Sequence, residues 1–131
     1  MHRWVDHTAE LELELSARDE AGVFAEALAA VADLLSDAGA SGEAVRREVT
    51  VESADRPALL ADWLAELLFL AESEDLVPER ADDLRLDGNR LRARVEGRRG
   101  AVRPYVKAVT YHGLVFEPAD GGWRARVVLD V

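Results

Sequence analysis

The 131-residue chain contains no cysteine, which excludes disulfide bonds, thiolate zinc sites and thiol nucleophiles. Long apolar runs are missing as well, since no stretch approaches the roughly 18 residues that span a bilayer. The first ten residues, MHRWVDHTAE, lack the apolar run of a signal peptide. We therefore expect a cytoplasmic protein that does not enter a membrane.

The motifs of common enzyme classes are also absent. The sequence has no P-loop, no GxGxxG, no GxSxG and no HExxH. These absences argue against a free-standing catalyst.

Positive charge is scarce: 16 lysines and arginines stand against 26 acidic residues, a formal net charge of −10. Such a field repels phosphate backbones, so we expect no broad, direct binding of nucleic acid. The same charge suits docking onto a basic protein surface, and it equally well serves solubility.

The chain has the length of one ordinary domain, and its 49% hydrophobic content can fill one core. It contains no internal repeat, no low-complexity tract and no long linker. We expect a single domain spanning residues 1–131.

The first third of the chain predicts a strand and a helix. Residues 10–15 read ELELEL, a strict alternation that predicts a strand with leucines inward and glutamates outward. Residues 16–19 resemble a capping box, in which the Ser16 hydroxyl accepts a backbone N–H and Asp19 favours the helix N-terminus. The helix is predicted to end before Asp37, Gly39 and Gly42. Its apolar stripe consists of Val23, Phe24, Ala27, Leu28, Val31, Leu34 and Leu35.

The middle of the chain repeats this order. Residues 45–52 alternate as a β-branched strand, and Asp55 and Pro57 then supply a helix cap and a first-turn proline. The next segment, LLADWLAELLFLAE, has a wide apolar face, which predicts a helix between layers rather than at the rim. That face is formed by Leu60, Trp63, Leu64, Leu67, Leu68 and Ala71.

The remaining pattern predicts antiparallel strands at residues 84–86, 90–97, 105–116 and 123–131, with turns at 87–89 and 118–122. The predicted fold is therefore α+β, a compact domain with two main helices packed on a largely antiparallel β-sheet. Residues 98–103 form a small basic loop. A solvated turn is its commoner explanation, and contact with a phosphate is the alternative.

Few polar residues suggest a site by themselves. Among the three histidines only His7 lies beside other notable polar residues, Asp6 and Glu10. In the last predicted strand, Asp130 lies on the face opposite Trp123. The Asp130 side chain, the carboxylate of Val131 and backbone carbonyls would suit a hard divalent cation, although a solvated strand end is the simpler explanation.

Four segments together resemble one known family. They are DHTAE at residues 6–10, DWLAELL at 62–68, VKAVTYH at 106–112 and LDV at 129–131. Their order and approximate spacing, over essentially the whole chain, are those of archeases. The combination of VKAVTYH with the ending GGWRARVVLDV is the more specific part.

The resemblance implies an accessory protein that promotes guanylylation and multiple turnover of an RtcB-type RNA ligase in tRNA splicing and RNA repair. It implies a functional centre at Glu10, Lys107 and Asp130. A divalent cation, calcium or another hard ion, would bind Glu10, Asp130 and Val131, with Asp6 and His7 in a secondary role. Many archeases read DHTAD, so Glu10 here keeps the carboxylate and moves it by one methylene.

The residues themselves fit this picture and leave alternatives open. Glu10 and Asp130 both lie on polar strand faces, so pairing of their strands would bring the two carboxylates together. Lys107 shares a predicted face with Tyr105, Val109 and Tyr111, and a plain lysine–carboxylate pair would explain it equally well. A metal-dependent hydrolase or nucleotidyl transferase, and a general interaction or chaperone module, are the competing functions.

Overall fold

The computed structural model describes residues 1–35, 42–100 and 106–131. Within these ranges the chain forms seven strands and two helices. In chain order they are β1 (His2–His7), β2 (Glu10–Ala17), α1 (Glu20–Leu34), β3 (Ala44–Glu52), α2 (Arg56–Glu74), β4 (Leu76–Asp87), β5 (Arg90–Arg99), β6 (Ala108–Ala119) and β7 (Gly122–Asp130).

The strands form two antiparallel sheets. The first has the strand order β1-β2-β7-β6, and the second has the order β3-β5-β4. Each helix contacts strands of both sheets, and a cluster of buried side chains joins all of these elements. The predicted α+β class, with two helices on antiparallel strands, is confirmed, and the strands are divided between two sheets.

Helix α1 begins at a different cap from the predicted one. Ser16 lies in β2, because that strand continues until Ala17 pairs with Trp123. Asp19 is the N-cap, and its carboxylate accepts the backbone N–H of Gly22 at 2.7 Å. A Cβ on Gly22 would lie only 2.9 Å from this carboxylate, so glycine leaves room for the cap.

Helix α2 is capped as predicted and supplies the centre of the core. Asp55 is its N-cap and accepts the backbone N–H of Ala58 at 2.9 Å. Trp63 is fully buried, and its indole N–H donates to the carbonyl oxygen of Phe24 on α1 at 2.9 Å. The predicted buried face is confirmed except at Leu68, which is only partly buried. Among the described helices, none is long and apolar enough to cross a membrane.

Two strands lack the alternation that would reveal them. β1 was not predicted, and β4 begins at Leu76 rather than at residue 84. Both are edge strands, and β4 carries a proline, several charges and two register shifts, which an edge tolerates. β6 continues to Ala119, so Pro118 belongs to this edge strand rather than to the turn. The predicted start of that strand at Tyr105 lies outside the described residues.

The predicted basic loop at residues 98–103 is wrong for its first two members. Arg98 and Arg99 continue β5, and Arg99 contacts Glu43 at 2.9 Å. Residues 101–103 lie outside the described part of the chain.

His2 on β1 forms hydrogen bonds with two carboxylates of α1. Its Nδ1 lies 3.0 Å from Glu26 and its Nε2 lies 2.6 Å from Asp33. Burial opposes the charged ring, but hydrogen bonds to both carboxylates outweigh this effect and raise the pKa of His2 above its ordinary 6.5. The protonated ring donates to both acids at once.

We predict that Trp63→Ala lowers the free energy of unfolding by about 3–5 kcal/mol, because it leaves a large cavity and an unpaired Phe24 carbonyl. Denaturant unfolding measures this loss. Phe69→Ala, on the same helix but 60% exposed, is the control and should change stability by no more than about 0.5 kcal/mol. Equal losses for both variants would contradict the assigned packing.

We also predict that the contribution of His2 to stability is present below pH 6.5 and is lost as pH rises through its raised folded-state pKa. Stability falls as pH rises because the folded state binds the His2 proton more tightly than the unfolded state does. Thermal unfolding across this range should show the decline in the wild type and a flatter profile in His2→Gln. A decline of the same size in both proteins would assign it to another group.

Candidate functional site

The strand registers place four residues in one row across an end of the four-stranded sheet. Glu10 is the direct partner of Asp130, His7 is the partner of Glu10, and Ala108 is the partner of Asp130. Directly paired residues project to the same face, with Cβ atoms about 5 Å apart. The structure therefore brings Glu10 and Asp130 together on the two central strands of this sheet.

The row lies on the outer face. The alternate residues of β2 and β7 point to the other side and are buried in the core, namely Leu11, Leu13, Leu15, Ala125, Val127 and Leu129. Glu10 and Asp130 are each partly exposed. In the described part of the chain, neither carboxylate has a hydrogen bond or an ion pair, so both are available to a ligand.

Main-chain hydrogen bonds hold the neighbouring residues in place. The backbone N–H of Lys107 donates to the carbonyl oxygen of Asp130 at 2.7 Å, and that of Val131 donates to Ala9 at 3.2 Å. Lys107 lies just before β6, and its side chain is exposed. Its ammonium forms no ion pair with any described residue, so the plain lysine–carboxylate pair is not formed.

The two secondary candidates differ in their surroundings. Asp6 is exposed and has no ion-pair partner among the described residues. The Nε2 of His7 lies 3.6 Å from a carboxylate oxygen of Glu12, and His7 is opposite Glu10 in the register. His7 therefore belongs to the row, whereas Asp6 is the partner of Leu11 and projects to the opposite face of the sheet.

Sequence reasoning missed an ion pair beside the row. Glu12 is 9% exposed, and its carboxylate oxygen lies 2.8 Å from Nη2 of Arg126. Burial raises the pKa of Glu12, but the hydrogen bond and charge of Arg126, together with a hydrogen bond to Glu14 and the charge of His7, hold that pKa below its ordinary 4.5. Both residues have the pattern of ordinary outward positions, so only the strand register reveals their contact.

A second group of contacts joins the DWLAELL segment to the VKAVTYH segment. Asp62 on α2 accepts hydrogen bonds from the hydroxyls of Tyr111 and Ser53. The hydrogen bond to Asp62 is the largest cause that raises the pKa of Tyr111 above 10.0, followed by burial. The contact ties α2 to the edge strand β6, which begins beside Asp130.

The donor set fits part of a cation site. Across the described ranges, no three histidine, aspartate or glutamate side chains gather where they could hold one metal ion. Two paired carboxylates, Glu10 and Asp130, match the oxygen ligands that hard divalent cations take. The other ligands would have to be main-chain oxygens, water or groups of a partner.

Comparison with known proteins agrees with this fold. Residues 2–131 match the model of the "Archease protein family (MTH1598/TM1083)". The protein archease of Methanosarcina barkeri is 30% identical, with 99% of this chain and 95% of that protein covered. The chain belongs to the archease family.

Two solved structures are similar. The solution structure of Methanobacterium thermoautotrophicum protein 1598 has 30% sequence identity and a TM-score of 0.72, covering 99% of this chain and 98% of that one. The crystal structure of an archease and "possible chaperone" from Thermotoga maritima has 22% identity and a TM-score of 0.63, covering 100% and 98%. The second likeness concerns the fold alone.

We predict that Asp62→Asn lowers the pKa of Tyr111 toward 10.0, because it removes the negative charge and weakens the acceptor of the phenol hydrogen bond. The chain has two tyrosines, so Tyr105→Phe makes Tyr111 the only phenol in an absorbance titration. Ser53→Ala, which removes the other donor to Asp62, is the control and keeps the charge. An unchanged titration in Asp62→Asn would show that the contact does not form.

Proposed function

We propose that this protein is an accessory protein that promotes guanylylation and multiple turnover of an RtcB-type RNA ligase in tRNA splicing and RNA repair. It acts in the cytoplasm, and it is an activator rather than a catalyst. Membership of the archease family supports the proposal. Its structural basis would be the centre at Glu10, Lys107 and Asp130.

One observation supports the placement of Glu10 and Asp130 in this centre. On the outer face of the four-stranded sheet, Glu14 pairs with Arg3, Glu12 pairs with Arg126, and Glu117 pairs with Arg124. Within the described residues, Glu10 and Asp130 lack such partners although they face each other across the strands. Two adjacent uncompensated carboxylates are an arrangement suited to a cation or to a cationic group of a partner.

The cation of this proposal is calcium or another hard divalent ion. Glu10, Asp130 and main-chain oxygens of Val131 would hold it, and when bound it would offer a positive charge to groups of the ligase. The backbone of Lys107 is hydrogen-bonded to that of Asp130 and its side chain is exposed, so its ammonium would be free to contact a phosphate or carboxylate. The covalent nucleotide chemistry belongs to the partner.

The net charge of −10 indicates that the docking surface of the partner is basic. A basic surface on the ligase would be attracted to this protein, whereas free RNA would be repelled.

A general chaperone function is the second candidate, since the similar Thermotoga maritima protein is described as a possible chaperone. Suppression of aggregation of unrelated proteins would favour that candidate.

We predict that Asp130→Ala abolishes ligase stimulation, lowering single-turnover guanylylation to the rate of the ligase alone. Stability should change by about 0.5 kcal/mol or less, because Asp130 has no partner among the described side chains. Asp87→Ala, an exposed carboxylate on the other sheet, is the matched control and should stimulate normally.

Guanylylation and thermal unfolding are measured on the same preparations. Full stimulation by Asp130→Ala would exclude the proposed centre. Loss of stimulation together with loss of the fold would assign Asp130 a structural role instead.

A further inference from the structure

A third carboxylate lies on the same face as Glu10 and Asp130. Glu12 is two residues beyond Glu10 on β2, about 7 Å along the strand, and its register partner is Val128. Glu12 is the one charged side chain among the described residues that is buried, at 9% exposure. Its carboxylate points to Arg126 at 2.8 Å and to His7 at 3.6 Å.

The irregular part of β6 lies close to Arg126. The register of β6 with β7 shifts between Thr110 and Val115, and Gly113 in this segment has a φ of +69°. A Cβ on Gly113 would lie 3.2 Å from Nη1 and 3.7 Å from Cζ of Arg126. Glycine thus allows the strand to lie against the guanidinium, which is held beside Glu12.

The local charges follow from this packing. Glu10, Glu12 and Asp130 carry three negative charges, and Arg126 carries one positive charge next to Glu12. Because the ion pair is partly shielded from water, the two charges of Glu12 and Arg126 largely cancel at a distance. The Glu12–Arg126 pair thus adds little net charge beside Glu10 and Asp130.

We propose that the Glu12–Arg126 pair sets the cation affinity of the Glu10–Asp130 centre, with Arg126 neutralising Glu12 and keeping it from acting as a third ligand. The inference rests on the proposed function, since it concerns the same centre. Glu12 and Arg126 are positioning residues that act through charge and do not touch the cation.

The proposal predicts opposite effects for the two halves of the pair. Glu12→Gln leaves the charge of Arg126 uncompensated and should weaken calcium binding about fivefold or more, as expected for one unit charge about 8 Å from a divalent ion in water. Arg126→Gln leaves Glu12 negative and should tighten binding by a similar factor. The double variant should bind within about twofold of the wild type, because both charges are removed.

Isothermal titration of the full chain with calcium chloride, at one pH and one ionic strength, measures these affinities without any ligase. Arg3→Gln is the matched control. It removes an arginine that is ion-paired to Glu14 at 2.7 Å on the same face but four residues from Glu10, so calcium affinity should change less than twofold. Circular dichroism establishes that each variant is folded. Glu12→Gln preserves the side-chain shape and tests the proposal even if Arg126→Gln does not fold.

The possible results distinguish failure of the Glu12–Arg126 inference from failure of the cation centre. Calcium binding by the wild type that Asp130→Ala removes, together with unchanged affinity in Glu12→Gln, would overturn this inference and leave the centre intact. A change of calcium affinity in the same direction for Glu12→Gln and Arg126→Gln would also overturn it. Absence of calcium binding by the wild type would overturn the cation centre itself, and the inference with it.

Discussion

The register between β2 and β7 determines both the core and the candidate centre. Leu11, Leu13 and Leu15 face the buried side because each is aligned with a buried residue of β7. Side chains alternate with a period of two, so a slip of one residue would expose these leucines and bury the glutamates between them. The hydrophobic free energy of the inner face therefore also fixes Glu10 opposite Asp130 on the outer face. The centre is built on the two middle strands, where neighbours on both sides restrict motion.

The irregularity of β6 connects this sheet to α2. β6 is an edge strand, and its register shift interrupts the row of backbone groups that would otherwise invite another strand. Within the irregular segment, Tyr111 reaches Asp62 on α2, and Gly113 lies against Arg126 on the opposite face. One short segment of β6 thus contacts α2 on one face of the sheet and Arg126 on the other.

Sequence patterns predicted the elements whose burial is one-sided and regular. The alternation at residues 10–15 and the apolar face around Trp63 both reflect a periodic contact with the core. The edge strand β1 and the first part of β4, residues 76–83, were not predicted because polar residues at a sheet edge need no such period. Asp19 rather than Ser16 caps α1 because pairing with β7 extends β2, which is a long-range effect. The family resemblance selected Glu10 and Asp130, whereas the contact of Glu12 with Arg126 required the register and the irregular segment of β6.

The position of Glu10 opposite Asp130 conflicts with local stability. Like charges directly opposite each other destabilise a pair of strands by up to about 1 kcal/mol, and this chain already carries excess negative charge. Other acids on the same face avoid the conflict through arginines, as Glu14 does with Arg3 and Glu12 with Arg126. Proteins break such local rules mainly where a function requires it. A bound cation would remove the repulsion, and binding to the folded state alone would add stability in proportion to the logarithm of cation concentration. The uncompensated pair is therefore consistent with the proposed centre, in which a ligand or a partner would supply the missing positive charge.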